Sequence, residues 1–332
     1  MGSIEQGALN AVKTCMGVGR EDKVLIVTDR SQGRVGAALG KAATSIVGES
    51  NVKTFTLEEL ASRPLRKLPQ RIERAIPWAT VTFWAASSLQ GELPARGRFI
   101  RRAIQSARHG HMPGITTKLM EQGMCADYDQ VYDLTHKIYD VVRKASKIEI
   151  RNDLGASITG EFDKTWRWIP SDGRYHRKGQ WGNLPEGETF TAPRLVNGHF
   201  VTNLLGDWFS EKYGNFKDPL SFDVMDSRID FGSISCENQV LKDEITEYLK
   251  TDENSDRASE FALPTNPLLI SLPTIGNLLQ DEKARPHIAF GDPYQHETGA
   301  PWISKTHVDL LLERCDTFVD GRRIMEHGSY VI

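Results

Sequence analysis

The stretch "ARPHIAFGDPYQHETGAPWISKTHVDLLL", near the C-terminal end of the sequence, places His287, Tyr294, His307 and Asp309 close together. The most informative pair is His307 and Asp309, which flank Val308. On a β-strand, residues i and i+2 point to the same face, so this imidazole and this carboxylate would project together while Val308 packs on the other side. Such a pair can bind one metal ion, although a surface strand with two outward polar residues has the same pattern.

His287 opens the apolar run "HIAFGD", which is typical of a buried strand. An imidazole buried among apolar side chains is costly unless it is bonded. Metal coordination would meet this requirement, and so would a hydrogen bond inside the core. The residues around His287 leave both interpretations open.

Two glutamates occupy similar positions, Glu188 in "NLPEGETFTAP" and Glu260 in "ASEFALPTNP". A carboxylate in such a run is costly unless it is paired, hydrogen-bonded or coordinating, whereas either glutamate alone also fits the rim of a sheet. Together with His287, His307 and Asp309 they form a set of ligands that can hold a pair of divalent ions. Nitrogen and oxygen ligands without sulfur favour zinc, cobalt, manganese or iron(II).

Alternating strand and helix patterns fill the first part of the chain. A strand is predicted at "DKVLIVTD" and a helix at "GRVGAALGKAATSIVG", and further elements follow at 51–60 (strand), 76–88 (strand), 97–110 (helix) and 126–146 (helix). This alternation predicts an α/β N-terminal domain, residues 1–145, with a small parallel sheet. The glycines at 33, 36 and 40 do not form GxGxxG, so a dinucleotide-binding fingerprint is absent. His109 and His111 are predicted to flank the end of the helix at 97–110.

The remainder of the chain, residues 146–332, changes character. "SKIEIRNDLGASITGEF" predicts a β-hairpin, and many short runs follow between Gly, Pro, Asn and Asp residues. One helix is predicted at "NQVLKDEITEYLK". This part is expected to form a β-rich α+β domain, and because it contains every candidate ligand we expect it to be the metal-binding catalytic domain.

Composition excludes several classes of protein. The 332 residues include 41 basic and 44 acidic side chains, and this balance argues against a nucleic-acid-binding surface. No apolar run is long enough for a membrane helix and the N-terminus does not resemble a signal peptide, so no membrane partner and a cytoplasmic location are expected. The four cysteines form no CxxC pair, which argues against a structural zinc finger or a disulfide framework.

Several segments, taken in order, resemble the M29 family of metallo-aminopeptidases. They are "NDLGASITGEF", "NLPEGETFTAP", "EFALPTNP", "HIAFGDPY", "THVDLLL" and "VDGRRIMEHG". The resemblance covers residues 146–332 well and the earlier part loosely. It implies that the metal ligands are Glu188, Glu260, His287, His307 and Asp309.

The resemblance further implies two divalent ions (zinc, cobalt or manganese), a homodimer, and hydrolysis of the N-terminal peptide bond of a peptide or similar small substrate by a metal-activated water. Glu188 and Tyr294 are the catalytic residues in this interpretation, with Tyr294 donating a hydrogen bond to the developing oxyanion. Glu186 is an outside candidate for carrying the proton. Ser259 departs from the family pattern, which commonly has glycine at that position.

A group of the same fold, the 2,5-dihydroxypyridine ring-cleaving dioxygenases, provides the alternative. A resemblance to that group implies one iron(II) held by His287, His307 and Asp309, with open positions for substrate and dioxygen. Such a mononuclear site does not need Glu188 or Glu260. Because the sequence retains both acids, the peptidase interpretation is preferred.

Overall fold

A computed structural model describes residues 2–332, and the chain divides into two compact units. The first unit runs to Tyr132 and includes Asp172–Glu186, and the second contains Asp133–Ser171 and Gly187–Ile332. The domain boundary predicted after residue 145 stays a prediction. No helix in residues 2–332 is both long and apolar enough to cross a membrane.

The strands of residues 2–332, numbered in chain order, are β1 Val24–Thr28, β2 Val52–Thr56, β3 Val81–Ala85, β4 Arg108–His111, β5 Lys147–Asn152, β6 Ser157–Glu161, β7 Ile169–Ser171, β8 Trp181–Asn183, β9 Glu188–Thr191, β10 Leu195–Thr202, β11 Leu220–Met225, β12 Arg228–Ile229, β13 Ala258–Pro264, β14 His287–Gly291, β15 His307–Leu311, β16 Cys315–Val319, β17 Arg322–Glu326 and β18 Ser329–Tyr330.

The α-helices of the same residues are α1 Ile4–Leu9, α2 Gly33–Val47, α3 Gln70–Ala75, α4 Leu93–Ala103, α5 Thr117–Glu121, α6 Tyr128–Val142, α7 Trp208–Tyr213, α8 Gln239–Tyr248, α9 Pro267–Ile270, α10 Leu278–Asp281 and α11 Gln295–Thr298.

The first unit contains a parallel sheet with the strand order β2-β1-β3-β4-β8. Both β1 and β3 are buried along their whole length, as expected for parallel strands covered on both faces. Leu25, Val27, Trp84 and Phe99 belong to the core that covers one face. This sheet confirms the α/β character that the sequence predicts for the N-terminal part.

A buried ion network fills the carboxyl ends of β1 and β3. The carboxylate of Asp29 accepts hydrogen bonds from the backbone N–H of Gln32 (2.8 Å) and of Ser87 (2.7 Å), and it pairs with the guanidinium of Arg63. Arg63 also pairs with Glu92. Open parallel sheets bind ligands where the strand order reverses, and β1 with its neighbours β2 and β3 is such a position. Here the polar groups bond to one another.

The second unit contains two antiparallel sheets. The larger has the order β12-β11-β10-β6-β5-β16-β17-β18, and the smaller has the order β15-β14-β13-β9-β7. The two pack through aromatic side chains: Phe290 of β14 lies edge-on against both Phe200 and Phe222, at centroid distances of 5.5 and 5.7 Å. Phe261 of β13 lies edge-on against Phe162. These sheets confirm the β-rich α+β class predicted for the C-terminal part.

The region after α4 corrects one detail of the sequence prediction. The predicted helix at 97–110 ends at Ala103, and His109 and His111 lie on strand β4. Both imidazoles point to one side of this strand, where His109 Nε2 lies 3.1 Å from His111 Nδ1. His109 Nδ1 is 2.9 Å from the hydroxyl of Thr82. The sequence "RHGH" is polar and did not indicate a buried strand. The two histidines are accommodated there by hydrogen bonds to Thr82 and to each other.

Burial makes this histidine pair sensitive to acid. It lowers the pKa of His109 from 6.5 to about 3, and it lowers the pKa of His111 well below its ordinary value. Because the folded chain keeps His109 neutral while the unfolded chain protonates near pH 6.5, its contribution to stability is present above pH 6.5 and is lost as the pH falls from 6.5 to about 3.

We therefore expect the His109→Gln variant to lose stability less steeply with falling pH than the wild type. The difference in slope should approach about 1.4 kcal/mol per pH unit inside this window, the limit for one proton. Urea unfolding at several pH values, followed by circular dichroism, measures it. The variant His327→Gln, at an exposed position, should keep the wild-type slope. An unchanged slope in His109→Gln would contradict the assignment.

Candidate metal centre

Side-chain alternation places the candidate ligands on one face of the five-stranded sheet. Four adjacent strands contribute: β9 carries Glu188, β13 carries Glu260, β14 carries His287, and β15 carries His307 and Asp309. Their sequence neighbours face the other way and belong to the apolar core, as Phe261, Ile288 and Val308 do. The alternation of side chains along each strand thus places the candidate ligands on one face and the core residues on the other.

Strand register aligns Asp309 with Glu260. Ala289 of β14 is paired with Asp309 on one side and with Glu260 on the other, so the two acids flank a small side chain on the same face. The pairing of β13 with β14 shifts between Ala258 and Glu260, which leaves Ser259 as an extra residue. A β-bulge of this kind re-aims the side chain that follows it, here the carboxylate of Glu260.

The ligand atoms form two overlapping groups of three. In each group the atoms lie within 4.8 Å of one another; the first trio is Glu188, Glu260 and His287, and the second trio is Glu260, His307 and Asp309. Glu260 belongs to both, because its Oε1 lies 3.9 Å from His287 Nε2 and its Oε2 lies 3.2 Å from His307 Nε2. The outer acids complete the trios: Glu188 Oε2 is 3.5 Å from His287 Nε2, and Asp309 Oδ1 is 3.4 Å from His307 Nε2.

The orientation of both imidazoles fits a metal site. His287 Nδ1 lies 3.2 Å from the carbonyl oxygen of Arg285, and His307 Nδ1 lies 2.9 Å from that of Asp292. A carbonyl accepts only from N–H, so in the neutral ring the proton sits on Nδ1 and the Nε2 lone pair points at the carboxylates. Metal-binding histidines are commonly oriented by such a bond on the second nitrogen. The donor set therefore suits divalent cations that accept nitrogen and oxygen.

His307 and Asp309 shift each other's pKa. Burial lowers the pKa of His307, but the nearby carboxylates of Asp309 and Glu260 outweigh this effect and raise the pKa well above its ordinary value. Burial works in the opposite direction on Asp309, and the charge of His307 outweighs it and lowers the pKa of that carboxyl to about 2. An ion pair between these two groups compensates part of the buried negative charge.

Two glycines permit the close packing behind the ligands. The backbone N–H of Gly206 donates to the carbonyl of Asp309 (2.8 Å), and a Cβ at Gly206 would lie 2.7 Å from Asp309 Oδ2. Gly187 has a φ of +138°, and a Cβ there would lie 2.8 Å from the backbone nitrogen of Asn266. The positions of Asp309 and Glu188 thus depend on residues without a side chain.

Tyr294 lies beside the second trio. Its ring centroid is 4.7 Å from that of His307 and 5.7 Å from that of Phe190. The residue adopts a left-handed conformation (φ 51°, ψ 57°), and its backbone N–H donates to Asp292 Oδ1 at 3.0 Å. Burial, together with the carboxylates of Glu260 and Asp309, raises the pKa of Tyr294 well above its ordinary value. The phenol is therefore neutral and can donate a proton in a hydrogen bond.

The structure brings together all six residues predicted for the site and adds two that the sequence did not indicate. Glu282 and Lys283 are buried, and Lys283 Nζ lies 2.5 Å from Glu188 Oε1. The available signal was the charged triplet "DEK" between the apolar runs "NLL" and "HIAFG". Glu186 lies in the first unit, where it accepts a hydrogen bond from the hydroxyl of Tyr175 at 2.8 Å.

Comparison with known proteins assigns the family. The model of the thermophilic metalloprotease family M29 matches residues 115–323, which is more than half of the chain. The chain belongs to the M29 family. As a member of this metalloprotease family it is assigned to the metal-dependent peptidases, and the donor set described above is what such an activity requires.

Two solved structures share the fold of this M29 chain. AmpT from Thermus thermophilus has a TM-score of 0.75 and 18% identity, and the match covers 99% of each chain. The 2,5-dihydroxypyridine dioxygenase from Pseudomonas putida KT2440 has a TM-score of 0.70 and 14% identity, and the match covers 98% of this chain and 96% of that one. At these identities the likeness concerns the fold. No curated protein matches the sequence.

We expect the Gly206→Ala variant of the M29 chain to bind divalent cations at least about ten-fold more weakly than the wild type. The added methyl would displace the Asp309 carboxylate, and a one-unit loss in log affinity corresponds to about 1.4 kcal/mol. Calorimetric titration of metal-free protein with cobalt measures the effect. Gly33→Ala is the control because a Cβ at Gly33 meets nothing within 4 Å. Wild-type affinity in Gly206→Ala would show that this contact does not position the ligand.

Proposed function

We propose that this chain is a metal-dependent aminopeptidase, which hydrolyses the peptide bond after the first residue of a peptide. The family assignment supports the metal-dependent peptidase class, and the finer activity is the proposal. Zinc, cobalt and manganese are the proposed metals, because all five ligands donate nitrogen or oxygen.

The observation that carries the proposal is the position of Glu260. One of its oxygens faces each imidazole, and it takes part in both trios. Among residues 2–332, neither trio contains both histidines, although a mononuclear iron site would use His287 and His307 together with Asp309. The geometry therefore supports two cation positions with a shared carboxylate more than a single iron position.

Each trio would hold one divalent ion, with Glu260 between the two. When bound, such ions lower the pKa of water to near neutrality and polarise a carbonyl group. The hydrogen bonds from the two Nδ1–H groups to backbone carbonyls keep each Nε2 directed at the cation positions. The buried apolar residues beneath the sheet lower the local dielectric constant, so fixed charges act more strongly there.

Tyr294 is the proposed donor to the oxyanion that forms on the scissile carbonyl. Its phenol stays neutral because its pKa is raised, and its ring is held between His307 and Phe190. A preorganised donor of this kind typically contributes about 3–4 kcal/mol to transition-state stabilisation. Helix α11, which follows Tyr294 directly, is held by Arg167, whose guanidinium donates to the carbonyl oxygens of His296 and Glu297 at 2.6 Å.

Cleavage at the N-terminus follows if the free amino group of the peptide occupies a position that the five side chains leave open. An amide nitrogen is a poor metal ligand, so a peptide with a blocked N-terminus would lack the contact between its amino group and the metal. Activity on leucine p-nitroanilide and on its N-acetyl derivative distinguishes the two cases. We expect turnover of leucine p-nitroanilide and none of the N-acetyl derivative. Equal turnover of the two substrates would contradict an aminopeptidase but would still be compatible with a metallopeptidase of another specificity.

Replacement of Glu188 separates the peptidase from the ring-cleaving alternative. We expect Glu188→Gln to lower kcat on leucine p-nitroanilide by roughly 100-fold or more, because the first trio loses its outer carboxylate. The metal content of protein purified without oxygen should fall from two equivalents toward one. Glu237→Gln, at an exposed position, should change neither value.

The ring-cleaving alternative predicts a different pattern of results, and it is kept because the dioxygenase shares the fold over 98% of this chain. A mononuclear oxygenase would be favoured by three results. The protein would contain one equivalent of iron, it would take up oxygen with 2,5-dihydroxypyridine, and Glu188→Gln would keep the wild-type activity. Those three results together would overturn the aminopeptidase proposal.

Removal of the Tyr294 hydroxyl tests its role directly. We expect Tyr294→Phe to lower kcat by roughly 100- to 1,000-fold with little change in KM, since the hydroxyl acts on the transition state. Metal content should stay at the wild-type value. Tyr139→Phe, which removes a hydroxyl elsewhere in the second unit, is the matched control. A change in KM alone would assign Tyr294 to substrate binding instead.

A further inference from the structure

Lys283 introduces a fixed positive charge on one side of the metal centre. Its side chain is 1% exposed, and its Nζ lies 2.5 Å from Glu188 Oε1 and 2.9 Å from Glu282 Oε1. A buried ammonium is stable only when it is paired and hydrogen-bonded, and these carboxylates meet that condition. Glu188 therefore faces a lysine with one oxygen and His287 with the other.

The chain holds this lysine in place from the loop before β14. The carboxylate of Asp281, two residues earlier, accepts hydrogen bonds from the backbone N–H groups of Ile275, Gly276 and Asn277, at 2.8–3.1 Å. Asp281, the last residue of α10, thereby ties the segment before this helix to its end. Because Lys283 is also shielded from water, its ammonium cannot leave the neighbourhood of Glu188 at low cost.

The two trios differ with respect to this charge. The first trio contains Glu188, whose carboxylate pairs with the ammonium at 2.5 Å. The Lys283 charge also lowers the pKa of Asp309 in the second trio, but this effect is smaller than that of His307. Opposing charges act strongly at such distances in a buried site. Glu282 offsets part of the ammonium charge, yet it belongs to neither trio.

We propose that Lys283 makes the two cation positions unequal: the trio of Glu260, His307 and Asp309 binds the first divalent cation, and the trio of Glu188, Glu260 and His287 binds the second more weakly. The ammonium takes one Glu188 oxygen and repels a cation held by the other. This inference rests on the proposed function, since it concerns the same pair of positions. Lys283 acts through Glu188 and is thus a positioning residue.

Titration of the metal-free full-length protein with cobalt chloride tests the order of binding. Calorimetry and the visible absorption of cobalt are recorded together at one fixed pH. The wild type should bind in two steps whose dissociation constants differ by about ten-fold or more. His287→Ala should lose the weaker step and keep the tighter one, and His307→Ala should lose the tighter step.

Replacement of the lysine tests the cause of the difference. Lys283→Met, of similar length and without charge, should tighten the second step by about ten-fold while the first step changes by less than about three-fold. Lys283→Arg should keep the two steps unequal because the charge remains. Lys217→Met removes a charge from an exposed position of the same unit and should match the wild type.

The outcomes distinguish failure of the proposed binding order from failure of the aminopeptidase proposal. Two equal steps in the wild type, or an unchanged ratio in Lys283→Met, would overturn the inference and leave the aminopeptidase proposal intact. A wild type that binds no cobalt would overturn both. If Lys283→Met does not fold, the two histidine variants still decide, because loss of the tighter step in His287→Ala would contradict the proposed order.

Discussion

The pleat of the five-stranded sheet is the constraint on which the remaining features of the second unit depend. Successive side chains leave opposite faces of a strand, so a strand buried on both sides can present apolar groups in one direction and ligands in the other. Phe261 and Phe290 face the larger sheet, while Glu260 and His287 face the metal centre. The same strands that close the core therefore also set the distances between ligands, and a change in packing would change the chemistry.

The cluster collects more negative charge than a buried site tolerates without compensation. Glu188, Glu260, Glu282 and Asp309 are all buried. Among the side chains, Lys283 and the imidazole of His307 supply compensating positive charge, and the nearby carboxylates raise the pKa of His307. Divalent cations would supply the remaining positive charge, so metal binding and the stability of this sheet are linked by mass action.

The sequence indicated candidate ligands because polar residues such as Asp309 stand beside apolar runs, here Leu-Leu-Leu, and the resemblance to the M29 family implied the set of five. It also predicted the α/β and β-rich parts from their periodicities. It did not predict β4, because "RHGH" contains no apolar residue and its burial depends on bonds made to Thr82 and within the histidine pair. Lys283 was missed for a related reason: a charge is expected at the surface unless the partner that neutralises it is known. Contacts between distant segments, such as Gly206 with Asp309, leave no local signal.

The bulge at Ser259 has a consequence for how such a site evolves. Point substitutions can exchange one ligand for another, but they cannot alter which side of the sheet Glu260 occupies. Deleting Ser259 would restore regular pairing and leave Glu260 opposite Ala289, on the face that carries the ligands. The extra residue therefore acts on the twist of the strand and on the direction of the carboxylate. A relative that lacked this one residue would thus keep the same ligand set and differ only in the aim of one shared carboxylate, which is a way to change cation affinity without exchanging a ligand.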